Sequence, residues 1–156
     1  MAEELSRLLE HGSETIVRTW TEKVLSDKRV CSDAQLTYAQ LLDHIPQIVE
    51  ELRLALANEQ DAKSLKEGRH HGRQRWRQGY DLKEVVRELT LLRATVMEFI
   101  SHYSGAMRPQ SPQQLSSSFY RINSFMDEEL YKTIEAYLEA PLTVKDEGAR
   151  MQDHSN

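Results

Sequence analysis

The sequence predicts an all-α protein, a single helical bundle of five to six helices. Three observations carry this. Apolar residues recur at intervals of three and four through five separate stretches, the period of one helix face. Only 6 glycines and 4 prolines occur in 156 residues, too few turn residues for a many-stranded sandwich or barrel. A hydrophobic share of 39% beside a charged share of 29% supplies both a core and a solvated surface. The length suits one domain. A globin-like arrangement of the same helices is the alternative packing.

The first stretch, Ala2 to Ser26, places Leu5, Leu8, Leu9, Ile16, Trp20 and Val24 on one face. Gly12-Ser13 predicts an interruption, with Ser13 capping a second piece. The next helix is expected to start near Ser32-Asp33 and to carry Tyr38, Leu42, Ile45, Val49, Leu52 and Leu56. Pro46 lacks a donor and biases Ile45 away from helix, so a break is expected over 43–46, with Pro46 in the first turn of a new helix. The third stretch, 62–78, is short and basic, anchored by Leu65 and Trp76 and stopped at Gly79. The fourth is the clearest: Asp81 and Glu84 form a capping-box pair ahead of an apolar stripe from Leu82 to Tyr103. The fifth opens on Ser111-Pro112 with Gln114 completing a cap, carries Leu115, Phe119, Ile122, Met126, Leu130, Ile134, Tyr137 and Leu138 inward, and is expected to close at Pro141. The organisation expected is a helical domain over 1–140 and a polar, disordered tail or linker over 141–156.

A net charge of −5 argues against nucleic acid as a partner. The single cysteine, Cys31, fits a reducing compartment. Met1-Ala2-Glu3-Glu4 lacks the basic-then-apolar layout of a secretion signal, and no apolar run approaches the ~20 residues of a membrane span. A cytoplasmic location without membrane contact is expected.

No nucleophile motif, phosphate-binding glycine loop or cysteine-pair metal site occurs, so no catalytic residue and no metal ligand set is assigned. His70-His71 is the first local feature. Adjacent helical residues point about 100° apart and do not chelate one ion together. They read as surface or partly buried polar groups, and His44 as a turn residue. The sharper alternative is a globin-like pocket for a small ligand or haem, with His70, His71 or His44 at the iron. The second feature is the basic segment 63–77, with Lys63, Lys66, Arg69, Arg73, Arg75 and Arg77 around Trp76. It suits phosphate or nucleic acid. In an acidic chain, however, pairing with Glu84, Glu88, Asp127 and Glu128 is the favoured reading. Glu88 and Arg93 flank the stripe of the fourth helix as structural charges. On the last helix Phe119, Tyr120, Phe125, Met126 and Tyr131 are candidates for a dimer or output surface, with Tyr137 adding aromatic area.

The run His71-Gly72-Arg73-Gln74-Arg75-Trp76-Arg77-Gln78-Gly79-Tyr80-Asp81-Leu82, with Arg87-Glu88-Leu89 and Leu91-Leu92-Arg93, resembles the N-terminal domain of the RsbRD type. Leu41-Leu42-Asp43-His44-Ile45-Pro46, Ile122-Asn123 and Phe125-Met126-Asp127-Glu128 are similar to further elements of that family. The resemblance spans about Leu5 to Leu138. It implies a helical, non-catalytic sensory input domain of bacterial stress signalling, placed ahead of histidine kinases or anti-sigma-antagonist domains. From the residues themselves, the candidate ligand or partner positions are His70, His71, Arg73, Arg75, Trp76, Tyr80, Arg87, Glu88 and Arg93. A homodimer and a downstream signalling domain or partner are the expected associations. No kinase, ATP-binding or phospho-acceptor pattern accompanies the resemblance, so it confers no kinase activity on these residues.

Overall fold

The computed structural model describes residues 2–31, 35–58 and 66–152, and its regular structure is helical, with no strand among the described residues. Among the described residues six α-helices follow in order: α1 (Ala2–Ser26), α2 (Tyr38–Leu42), α3 (Ile45–Asn58), α4 (Glu67–Arg77), α5 (Leu82–Tyr103) and α6 (Pro112–Gln152). A 3-10 turn at Ser104–Ala106 separates the last two. The α1 helix packs on α3 and α5, and α6 packs on α4 and α5. Between them Trp20, Ile16, Leu52, Leu89, Leu92 and Ile122 are sealed from solvent in one core. Each such side chain stabilises the fold by roughly 1.5–3 kcal/mol.

Capping sets most boundaries. Glu84 accepts the backbone N–H of Asp81 at 2.9 Å and that of Cys31 at 2.8 Å, so it starts α5 and ties down the chain leaving α1. Ser111 and Gln114 exchange bonds of 3.0 and 3.2 Å at the start of α6. The break over 43–46 is present: Asp43 has φ +22° and α3 begins at Ile45 with Pro46 in its first turn. Gly79, at φ +80°, stops α4.

Several expectations change. Gly12 does not interrupt α1. A Cβ there would lie 1.9 Å from Phe99 Cζ, so the glycine is a close crossing of α1 with α5. The start at Ser32-Asp33, and the anchor Leu65, lie outside the described residues. Instead Thr37 caps α2, accepting the N–H of Gln40 at 3.3 Å. The last helix passes through Pro141 to Gln152 rather than closing there. Proline removes only its own N–H bond, and the ladder on either side carries the helix across. Phe125 and Met126, expected at a dimer or output surface, are 4% and 1% exposed, because they share the inward face with Ile122. Conversely Leu138, expected inward, is largely exposed. No helix among the described residues is long and apolar enough to cross a membrane.

Candidate functional site

The α4 helix has almost no apolar face. Its buried positions are Gly68, His71, Gly72 and Arg75, spaced at helical intervals. A helix of this composition gains little from hydrophobic transfer, so close backbone contact and buried hydrogen bonds must hold it.

The contact is with α6. A Cβ on Gly72 would lie 2.2 Å from the Thr133 carbonyl oxygen, and one on Gly68 would lie 2.3 Å from Glu129 Oε2. The two glycines let α4 lie directly on the α6 backbone. The Thr133 hydroxyl donates to the Gly68 carbonyl at 2.8 Å, and the Tyr137 hydroxyl to the Tyr80 carbonyl at 2.7 Å.

The hydrogen bonds centre on Arg75 and Glu88, both wholly buried. Arg75 Nε donates to Glu88 Oε2 at 2.9 Å. Its Nη1 donates to Gln78 Oε1 at 2.7 Å and to the Gln40 carbonyl at 3.1 Å, and its Nη2 to the Leu41 carbonyl at 2.7 Å. Those two carbonyls belong to the C-terminal end of α2, so the guanidinium caps that short helix. The Tyr80 ring lies under the guanidinium at 4.8 Å. His71 Nε2 is 3.0 Å from the same Glu88 oxygen. Burial, then the Arg75 charge, holds the His71 pKa well below the usual imidazole value. The ring is therefore neutral, with Nε2–H donating to Glu88. From α1, the Trp20 indole N–H donates to the Glu88 carbonyl at 3.0 Å. One cluster thus joins α1, α2, α4 and α5.

A second buried polar feature lies where α3, α4 and α6 meet. Glu129 is fully buried, and neither of its carboxyl oxygens meets a hydrogen-bond donor among the described residues. Desolvation first, and then the facing Glu51 carboxylate, pushes its pKa up to about 9. Glu129 is therefore held in its neutral form at neutral pH. Unfolded, the group titrates near 4.5. Between these values the folded chain holds one proton more than the unfolded chain, so stability falls as pH rises through that window, by at most about 1.4 kcal/mol per unit. Glu129→Gln keeps the shape of the neutral side chain without the titration. It is expected to gain stability over the parent progressively as pH rises above about 5, and to flatten the slope there. Urea denaturation across that range checks this; equal slopes in the two proteins would show that Glu129 ionises in the folded state.

Of the residues singled out from sequence, His71, Arg75, Tyr80 and Glu88 come together. His70 turns outward beside Glu67 and His44. Arg87 bonds Asp27 at the end of α1, where Arg29 and then Arg87 hold the aspartate well below the usual carboxylate range. Arg93 reaches Asp127 on α6. Arg73 and Trp76 are half-buried on α4, outside the cluster's hydrogen bonds. Arg69 bonds Glu135 and Glu139 on α6. The basic segment is thus turned in part onto acids of its own chain; Lys63 lies outside the described residues.

Tyr120 and Tyr131 are 74% and 65% exposed on α6, while Phe119 is half-buried against the core. Sequence reasoning missed Gly68, Glu51 and Glu129. Two signals pointed to Gly68 and Glu129: glycines four apart on α4, and a glutamate in register with Ile122, Met126 and Thr133 on the inward stripe of α6.

A family model for the N-terminal domain of the RsbT co-antagonist protein rsbRD matches residues 14–151. The chain belongs to that family. It is a stress-response regulatory domain of the RsbT co-antagonist type. No curated protein and no solved structure gives a significant match. Within this RsbRD N-terminal domain, the residues that carried the resemblance now have a physical role. His71, Arg75, Tyr80 and Glu88 form the buried cluster, and Gly72 is the α4–α6 contact.

Proposed function

We propose that the chain is a non-catalytic sensory input domain that passes a signal, by a change in helix packing, along α6 to a C-terminal output module or partner. The observation that carries this reading is α6 itself. It is 41 residues long, forms the seam with α4, and continues past Pro141. A seam held by close approach at glycines and by a few hydrogen bonds, with a buried glutamate inside it, rather than by apolar side chains, is suited to two arrangements of similar free energy. The signal would bias one of them.

Phe119→Asp, placed in the natural gene, loosens the start of α6 from the core. It is expected to abolish the stress response of the parent protein while the domain keeps its helical circular-dichroism spectrum. A folded variant with normal regulation would sink the relay.

The same helix supports a homodimer. Tyr120, Tyr131 and Leu138 are exposed and fall on one side of α6, a face on which a second copy can pack. Tyr131→Glu is expected to shift the chain from dimer to monomer in light scattering; a parent chain that is monomeric at every concentration contradicts this part. The phosphate or nucleic-acid reading is not favoured, because Arg69 and Arg75 already spend their donors on acids and carbonyls of the same chain. A haem reading through His71 is disfavoured for the same reason, since its Nε2 is engaged by Glu88.

A further inference from the structure

We propose that His44, Glu67 and His70 bind one divalent transition-metal ion of the zinc class. One ligand atom from each lies within 4.8 Å of the others. Glu67 Oε2 is 3.0 Å from His44 Nδ1 and 3.6 Å from His70 Nδ1. Ligands about 2.0–2.1 Å from a tetrahedral zinc ion stand roughly 3.4 Å apart, so two of the three edges already fit within a few tenths of an ångström. The remaining edge joins the two histidines, whose ring centroids are 5.3 Å apart. Closing it needs a modest rotation, and His70, with 48% of its side chain exposed, is free to make one.

The donor set is two imidazoles and one carboxylate, which suits zinc and its neighbours better than calcium or magnesium. It comes from two places in the fold. Glu67 and His70 are one turn apart on α4, and His44 sits in the corner between α2 and α3. The neighbouring His71 points inward, as adjacent helical positions require, so a search for paired histidines along the sequence does not find the site. An outer partner is also present. Asp43 Oδ2 lies 3.6 Å from His44 Nε2, on the side of the ring away from Glu67. From that side a small closure would let the carboxylate accept from Nε2–H, leaving Nδ1 to the metal. Binding would bridge His44 Nδ1 and Glu67, and would pin the α2–α3 corner to the first turn of α4.

The test uses the chain purified without a histidine tag and stripped of metal. It is titrated with zinc chloride against a chromogenic chelator, and in parallel with cobalt(II) chloride. One equivalent of zinc is expected to bind with a Kd of about 10 µM or tighter, and to raise Tm. The cobalt form is expected to show the intense visible bands of a low-coordinate nitrogen and oxygen site. His70→Ala and Glu67→Gln, both near the surface, are expected to weaken zinc binding about tenfold or more, and exposed His102→Ala to leave it unchanged. No zinc uptake in that range, or equal affinity in His70→Ala and the parent, overturns the site. The relay along α6 does not depend on this result, nor the metal site on the relay.

Discussion

Arg75→Met is expected to lower folding stability by about 3–5 kcal/mol, enough to unfold most of a marginal domain. The substitution keeps the length and apolar volume of the side chain, so the loss is electrostatic. It leaves the Glu88 carboxylate buried without its cation, and leaves the Gln40 and Leu41 carbonyls at the end of α2 without donors. Arg75→Lys should recover only part of the loss, because an ammonium cannot span Glu88 and two carbonyls in one plane. Glu88→Leu alone is expected to be damaging as well, since it strands the guanidinium. The double variant Arg75→Met/Glu88→Leu should be less damaging than the sum of the singles, as no unpaired charge remains. Urea denaturation of the four proteins measures the coupling. A loss below about 1 kcal/mol for Arg75→Met would mean that water reaches the cluster and screens it.

Gly72→Ala carries the second large effect, and here two terms oppose. In a helix interior alanine is favoured over glycine by about 1 kcal/mol. Against this, the new methyl would stand 2.2 Å from the Thr133 carbonyl oxygen and 3.1 Å from the Tyr137 nitrogen. Both are backbone atoms and cannot rotate away. The two helices must separate, weakening the bonds from Thr133 to Gly68 and from Tyr137 to Tyr80. Overpacking of this kind costs about 3 kcal/mol, so a net loss of about 2 kcal/mol is expected. At Gly105 nothing lies within 4 Å of the place a methyl group would take, and Gly105→Ala should be close to neutral. Thermal unfolding separates the pair. A Gly72→Ala protein as stable as the parent would show that α4 and α6 do not approach this closely.

The helices themselves were legible. The α5 helix runs from Leu82 to Tyr103 as its stripe predicts, and Glu84 and Gln114 cap where capping chemistry places them. Those features are local, since a cap or a stripe depends on residues within one or two turns. The break before Pro46 was legible for the same reason. The candidate site was legible only in part. His71, Arg75, Tyr80 and Glu88 were singled out, but as ligand or partner residues rather than as a buried cluster. Nothing near Arg75 in the sequence announces that its partners include two carbonyls of α2. Gly12 read as a break because glycine signals both a turn and a close approach, and only Phe99 on another helix decides between them.

By itself the sequence determined that this protein is a set of amphipathic helices, where most of them start, and which family it belongs to. Tertiary structure alone decided which charges are buried, that α4 is held by glycines and hydrogen bonds, and that His44 stands beside Glu67 and His70. The physical reason is range. Helical periodicity and capping are satisfied within a few residues of chain. The state of a buried proton, or the meeting of three metal-binding side chains, depends on groups that only folding brings within a few ångströms.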